Sequence, residues 1–518
     1  MKNRILVLSL VMLLVLSTVG IGCPRPVEVV EAPTPDFIFV QGVDPETLDP
    51  FRYASTIAAN VFLHVLQPLL IQTTELELVP GLATSWEVAE DGVTWTFFLR
   101  RGVKFHDGTP FNAEAVKLNF EAVAFAVPPL PRTRMFAVFM QEVRVVDEYT
   151  VQIITKKPFA PMLANMAHPA AAIMSPTARE KLGADIAIAP VGTGPFKFVE
   201  WIPGDRVVLE RNEAYWGELP KIERLIFKPV KEAASRIMML EAGEAHLITG
   251  VTPHDVPRLK QDPEITVIAI PTTRSMYFAI NHLRWPWTDL RVRQAINYAV
   301  DKETIIERVL LGFGAPLTSH LPHLMEGHVA VGPYPYNPER ARELLREAGV
   351  PEGTKINLWT PHGRYVMDKE ITEAVAGYLE AVGFEVVLTV WEWAAYLAAT
   401  RTPAEETDRD LFYFGWAAGT VEPDWQTRPL FTTAMWPPAG WNRGFYSNPR
   451  VDELVYKAMG TINREEFNEI YAEIQRLIWE DAAWLFKNVM YHIVATRDVA
   501  GVWVFPHEGT RAVGAYFP

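Results

Sequence analysis

Only one cysteine, Cys23, stands in 518 residues, so no internal disulfide can hold this chain together. Long apolar runs are scarce as well. Beyond the first two dozen residues, no uninterrupted apolar stretch reaches the roughly 18 residues that a membrane-spanning helix requires. Positive charge is in deficit, with 48 Lys and Arg against 62 Asp and Glu and a net charge of −14, which argues against a nucleic-acid partner because phosphate binding needs concentrated cations. No period of about 20 to 50 residues recurs, which disfavours solenoids and propellers. G-x-x-x-x-G-K-[ST], G-x-G-x-x-G and G-x-S-x-G are all missing, leaving nucleotide chemistry and serine hydrolysis without support.

What is present is ample material for a core. With 49% apolar, 11% aromatic and 21% charged residues, the chain lies far from disordered compositions, and its length points to two or three domains or one large composite fold. At the N-terminus, Lys2 and Arg4 precede the apolar stretch Ile5 to Leu16, and Ser17, Thr18, Gly20 and Gly22 lead to Cys23. As a helix the stretch would extend about 18 Å against about 30 Å of hydrocarbon, so it reads as an export signal over 1–23. The pattern resembles a bacterial lipoprotein signal in which Cys23 becomes the lipid-bearing first residue, although Gly20 stands where such signals usually carry Leu. PRPVEVVEAPTP at 24–35 then reads as a stiff tether.

Along the body, strands and helices intermingle. Trp95 to Leu99 and Val103 to Phe105 read as strands around a turn. Asn112 is a cap candidate for a following helix carrying Val116, Leu118, Phe120 and Val123. Val207 to Glu210, Leu225 to Val230, Ile265 to Ile270 and Gly383 to Val390 read as further strands. Helices are expected at Ala233 to Glu241, after Asp289, after Asp301, after Asn337-Pro338 up to Gly349, at Glu370 to Leu379 and at Glu465 to Trp479. Their apolar stripes are ordinary core faces, and the fold class that follows is α/β.

Several segments, in order, resemble the family 5 extracellular solute-binding proteins of bacterial ABC importers. They are TLDP at 47–50, LATSWEVAEDGVTWTFFLRRGVKFHDGTPFNAEAVK at 82–117, GTGPFKFVEW at 192–201 and LERNEAYWG at 209–217. DLRVRQAINYAVDKETII at 289–306, NPERARELLREAG at 337–349, GRY at 363–365 and GW at 415–416 continue the series. The resemblance implies a two-lobed periplasmic-binding-protein-like clam with mixed sheets flanked by helices. Lobe I would comprise 36–72, 194–283 and 486–518, an extra domain 73–193, and lobe II 284–485. It implies a protein outside the cytoplasm, lipid-anchored and monomeric, without cofactor or catalytic residues. Such a protein closes on a small solute and delivers it to a permease with an associated ATPase.

Peptide-binding relatives carry a loop resembling G-W-x-x-D whose aspartate holds the ligand amine. Here the sequence is GWAAGTVEPDWQTRPLF at 415–431, with Gly419 in the aspartate's place. Glu422 or Asp424 could substitute, and the loop together with WPPAGWNRGFYSNP at 436–449 is closer to the glutathione-type branch. The expected site combines an aromatic wall of Trp416, Trp425, Trp436 and Trp441 with Arg443 and Arg364 as carboxylate-binding guanidiniums, and with Thr420, Asp424 and Asn442. A peptide or glutathione-like solute leads, with an oligosaccharide, a nickel chelate and an exported hydrolase as alternatives. Gly192, Gly194 and Pro195 suit a sharp chain crossing where glycine accepts unusual backbone angles. His106 beside Asp107, and His320, His323 and His328 in SHLPHLMEGH, read as structural rather than catalytic or metal-binding.

Overall fold

Three caps expected from the sequence are made as hydrogen bonds. Asn112 accepts from the Ala115 N–H (3.0 Å) at the head of helix Ala113–Ala124, Asp301 from Thr304 (2.9 Å) before Lys302–Arg308, and Asn337 from Arg340 (2.9 Å) before Pro338–Glu347. Pro338 occupies the first turn, where its missing N–H is no loss, and Gly349 takes φ +72° just past the helix end. The computed structural model describes residues 35–403 and 406–518. The export signal, Cys23 and tether residues 24–34 lie outside the described residues. Among the described residues, no helix is long and apolar enough to cross a membrane.

An eleven-stranded mixed sheet organises the chain. Its strands are β1 (Phe37–Gln41), β2 (Phe196–Ile202), β3 (Arg206–Arg211), β4 (Arg224–Pro229), β5 (Leu247–Thr249) and β6 (Ile265–Ile280), followed by β7 (Gly314–Pro316), β8 (Thr354–Pro361), β9 (Phe384–Trp391), β10 (Leu411–Ala417) and β11 (Trp484–Arg497). The order is β9-β8-β10-β6-β11-β5-β1-β4-β3-β2, with β7 beside β11. β6 has sixteen residues and β11 fourteen. At about 3.4 Å per residue, β6 runs roughly 50 Å and belongs to both halves of the sheet. The two pair antiparallel from Ile265↔Arg497 to Ala279↔Trp484, with register shifts between Pro271 and Ser275 and between Met276 and Tyr277. Beyond them, β8 pairs parallel with both β9 and β10.

Period-two alternation sends successive side chains to opposite faces. Tyr277, Ala279, Phe412 and Phe414 join a core with Leu454, Ile470 and Ile474 of helices Pro449–Gly460 and Arg464–Glu480. Met276, Phe278, Ile280 and Tyr413 face the other way, onto Val292, Ile296, Ile371 and Val375 of helices Leu290–Ala299 and Asp368–Glu380. A separate four-stranded antiparallel sheet, Ala83–Val88, Thr94–Leu99, Thr150–Thr155 and Met140–Asp147 in that order, shares a core with Phe37, Phe39 and Leu225. The expected strand at Val103 to Phe105 is only a single bridge from Lys104 to Pro110. Asp107 accepts from the Thr109 N–H (3.0 Å) and Phe105 donates to Thr109 O (2.8 Å), a turn too tight to leave a second strand.

Gly192 and Gly194 are glycines for a reason other than backbone angle. Neither has a left-handed φ; a Cβ on Gly192 would stand 2.2 Å from the Val65 carbonyl oxygen, and one on Gly194 2.5 Å from that of His64. His106 binds the same crossing, accepting at Nδ1 from the Gly192 N–H (3.4 Å) and donating from Nε2 to Gly194 O (3.0 Å). Gly192→Ala is therefore expected to destabilise the protein by about 1–3 kcal/mol, since backbone rather than a movable side chain must yield. The urea midpoint measures it, and an unchanged midpoint would show that the crossing can relax.

Candidate functional site

In open α/β sheets, ligands bind in the crevice outside the carboxyl ends of the strands. The parallel strands β8, β9 and β10 end at Pro361, Trp391 and Ala417, and the candidate residues gather just beyond. After β8, Asp368 ties the turn by accepting from the N–H groups of Gly363 (3.2 Å), Arg364 (3.0 Å) and Tyr365 (3.1 Å). Arg364 is thereby presented over Tyr365 (4.8 Å) and over Trp393 (5.2 Å), the first residue after β9's single-residue connection. Crowding by protein lowers its pKa although the residue is exposed to solvent, a combination that fits the wall of a water-filled cleft. The Tyr365 hydroxyl donates to Gly415 O (3.2 Å), and a Cβ on Gly415 would lie 2.5 Å from Met276 Sδ.

Next to this edge is a narrow recess lined by Tyr277, Phe414, Trp416, Leu430, Trp441 and Arg443 among others. Arg443 is 3% exposed. Its Nη1 donates to the Thr400 hydroxyl and lies 3.5 Å from Leu397 O, but Nε and Nη2 have no partner. Its guanidinium lies over Trp441 (4.2 Å) and Phe414 (4.9 Å). Burial pushes its pKa down to about 10, assisted by the nearby Arg401. A buried cation with two idle donors and no carboxylate is an incomplete ion pair. Trp393 links the two arginines, its ring 5.9 Å from Phe414.

The structure divides the aromatic set. Trp416 lies 5.2 Å from Trp441 and 6.4 Å from Trp425, and its indole N–H donates to Trp425 O (2.9 Å). Trp436 is apart from them, against Phe445 (5.7 Å) and donating to Tyr446 O (2.8 Å). Thr420 is buried in the loop after β10. Asn442 spends its side chain inside its own loop, donating to Thr432 O (3.1 Å) and Tyr446 O (2.8 Å) and accepting from the Tyr446 N–H (3.1 Å). Asp424 is committed to Arg428, with contacts of 2.8 and 3.1 Å from Nε and 2.8 Å from Nη2. Glu422 is buried, and that burial, with Asp424 beside it, pushes its carboxyl well above the usual range. Neither acid is a free anion for a ligand amine, contrary to the expectation that one could replace the missing aspartate.

One polar pair at the site escaped the sequence reading. Arg274 on β6 forms a buried ion pair with Glu508, Nη2 to Oε2 at 2.8 Å, and donates from Nη1 to Gly415 O (3.0 Å). Its signal was the single charged residue of β6; its partner, 234 residues on, gave none. Two of the three histidines of the SHLPHLMEGH segment have partners within the fold: His320 Nε2 meets the Thr427 hydroxyl (2.9 Å) and His328 Nδ1 meets Leu321 O (3.0 Å). Among the described residues no group of His, Cys, Asp and Glu is arranged to hold a metal.

Comparison with known proteins places this geometry in context. The sequence profile described as "Bacterial extracellular solute-binding proteins, family 5 Middle" matches residues 77–437. The glutathione-binding protein GsiB of Pectobacterium atrosepticum is 35% identical over 474 residues, covering 91% of this chain and 92% of that protein. The same-named protein of Escherichia coli K12 is 32% identical over 477 residues, covering 92% and 93%. Among solved structures, the periplasmic binding protein DppA of Helicobacter pylori in complex with the peptide STSA superposes with a TM-score of 0.82 at 26% identity, covering 93% of this chain and 98% of that one. The mixed α/β fold is the two-lobed periplasmic-binding-protein type.

Proposed function

Because the chain belongs to the bacterial extracellular solute-binding proteins, family 5, we propose that it captures a small acidic, peptide-like solute of the glutathione type and hands it unaltered to an ABC permease. The observation that carries the choice of solute is Arg443, buried on the wall of the recess with Nε and Nη2 idle. A ligand carboxylate supplies the missing anion in the planar, two-pronged geometry that a guanidinium favours. A neutral oligosaccharide would leave Arg443 unpaired. Retention without chemistry is supported by the commitments of the neighbouring acids: Asp424 to Arg428, Glu508 to Arg274 and Asp368 to backbone N–H groups.

In this reading, 36–72, 194–283 and 486–518 form lobe I, 284–485 form lobe II and 73–193 are an additional domain. The register shifts near Pro271 and Ser275 on β6 absorb the bend when the lobes close, and a ligand closes them by binding the closed form better. Calorimetric titration with glutathione, short acidic peptides and a neutral oligosaccharide tests the proposal. Saturable one-to-one binding restricted to the acidic compounds is the expected result, and preference for the sugar would overturn the choice of solute. Arg364→Ala is expected to weaken acidic solutes by about 1 kcal/mol, less than a fully buried donor would, because solvent screens it; the same titration reads it. Cys23 is read as the lipid-bearing residue, so Cys23→Ser should move the protein from the membrane fraction to the soluble fraction.

A further inference from the structure

Across from the strand β10 edge stands a second wall rich in hydrogen-bond donors. The C-terminal loop at 505–511 is held beside Gly415 by the Thr273 N–H donating to Pro506 O (2.9 Å), and by Arg274, which bridges Glu508 and Gly415 O. His168 packs against the loop after β10: its Nε2 lies 2.9 Å from where a Cβ on Gly419 would stand, so a side chain there would displace the imidazole.

The protonation of this wall follows from its hydrogen bonds. His168 Nδ1 accepts from the Ala170 N–H (3.1 Å) and His507 Nδ1 accepts from the Gly509 N–H (3.2 Å). Each proton therefore sits on Nε2, which has no hydrogen-bond partner among the described residues. Burial lowers the pKa of both rings, which keeps them neutral donors. Arg511 is 7% exposed and its Nη1 donates only to neutral oxygens, Asn60 Oδ1 (3.1 Å) and Thr510 O (3.1 Å). No carboxylate of the described residues pairs with it, and burial pushes it down to about 9. His507 stacks on Phe505 (5.0 Å) and the Arg511 guanidinium lies over the same ring (5.7 Å), while His168 stands 6.3 Å from Tyr53. Glu508, the acid in the loop, is already bound to Arg274.

We propose that His168, His507 and Arg511 form a second anion subsite, so that the chamber takes a peptide-like solute with two acidic groups, one for each wall. This rests on the solute-binding reading above. One carboxylate meets Arg443, or Arg364 at the mouth, and the other accepts from the imidazole N–H groups and from Arg511. A solute with one acidic group leaves a wall of desolvated donors unmatched, which costs affinity even though nothing repels it.

The test is calorimetric titration of the full chain with glutathione and with its monoethyl ester, which masks one carboxylate. The variants are Arg511→Met for this wall and Arg443→Met for the other. The wild-type protein should bind the ester at least tenfold more weakly. In the variant of whichever wall held the masked carboxylate, acid and ester should bind alike, while the other variant keeps the tenfold difference. If Arg511→Met does not fold, as circular dichroism would show, His507→Gln is the gentler substitute. Equal binding of acid and ester by the wild type, or the same ester penalty in both variants, overturns the second subsite while leaving solute capture intact. Failure of the wild type to bind either compound counts against the solute-binding reading and the subsite together.

Discussion

Arg443→Met is expected to weaken acidic-solute binding by about 1.5–3 kcal/mol, or roughly ten- to 150-fold, while leaving the ligand-free protein as heat-stable as before or more so. The two effects have one cause. Arg443 is buried with Nε and Nη2 unpartnered and only neutral groups at Nη1, so in the empty protein its desolvation is poorly compensated. Methionine of similar length fills the space between Trp441 and Phe414 without that cost, as hydrophobic replacement of imperfectly paired buried charge often does. A structural arginine predicts the reverse: lost stability and unaltered affinity. Calorimetry and a thermal melt on one preparation separate the two.

Arg274→Met should act on stability first, with a loss of about 3–5 kcal/mol, because it leaves the Glu508 carboxylate buried without its partner. Burial alone would raise the Glu508 pKa, but the Arg274 guanidinium overrides it and holds the carboxyl below its ordinary value of 4.5. A carboxyl depressed in the folded state binds fewer protons than when unfolded, so its contribution is present above the unfolded pKa and lost as pH falls through the folded one. The wild-type melting temperature should therefore drop as pH falls below about 4.5. In Arg274→Met, desolvation is unopposed and the Glu508 pKa rises. Acidification then relieves the buried charge, and the deficit relative to wild type should narrow between about pH 7 and pH 4. A deficit that is constant with pH would mean that Glu508 finds another cation.

The parts of the fold legible in the sequence are those whose cause is local. Asn337, Pro338 and Gly349 mark both ends of a helix within thirteen residues, and the structure has it at Pro338–Glu347. Ile470, Ile474 and Ile478 repeat at helical spacing and are buried. β6 was legible only to Ile270, because beyond it Pro271, Thr272, Thr273 and Arg274 break the apolar pattern, although the strand continues to Ile280. Those same residues are where its pairing with β11 shifts register.

The site was legible in the same proportion. The tryptophans of the 415–441 region could be grouped by proximity in sequence, but which of them meet is set by the path of the chain after β10, and Trp436 turns away. Asp424 looked available until its partner Arg428, one helical turn on, was in place. The far wall was invisible, since His168 and the 505–511 loop reach Gly415 and Gly419 only through tertiary folding, and no local pattern ties them to it.

Native mass spectrometry of the protein as purified, followed by release and identification of whatever it carries, bears on solute capture more immediately than any variant. One small acidic peptide-like compound per chain, recovered chemically intact, is the outcome expected of a chamber built around unpaired guanidiniums. A neutral sugar in that position, or a released compound altered from the one supplied, would contradict it.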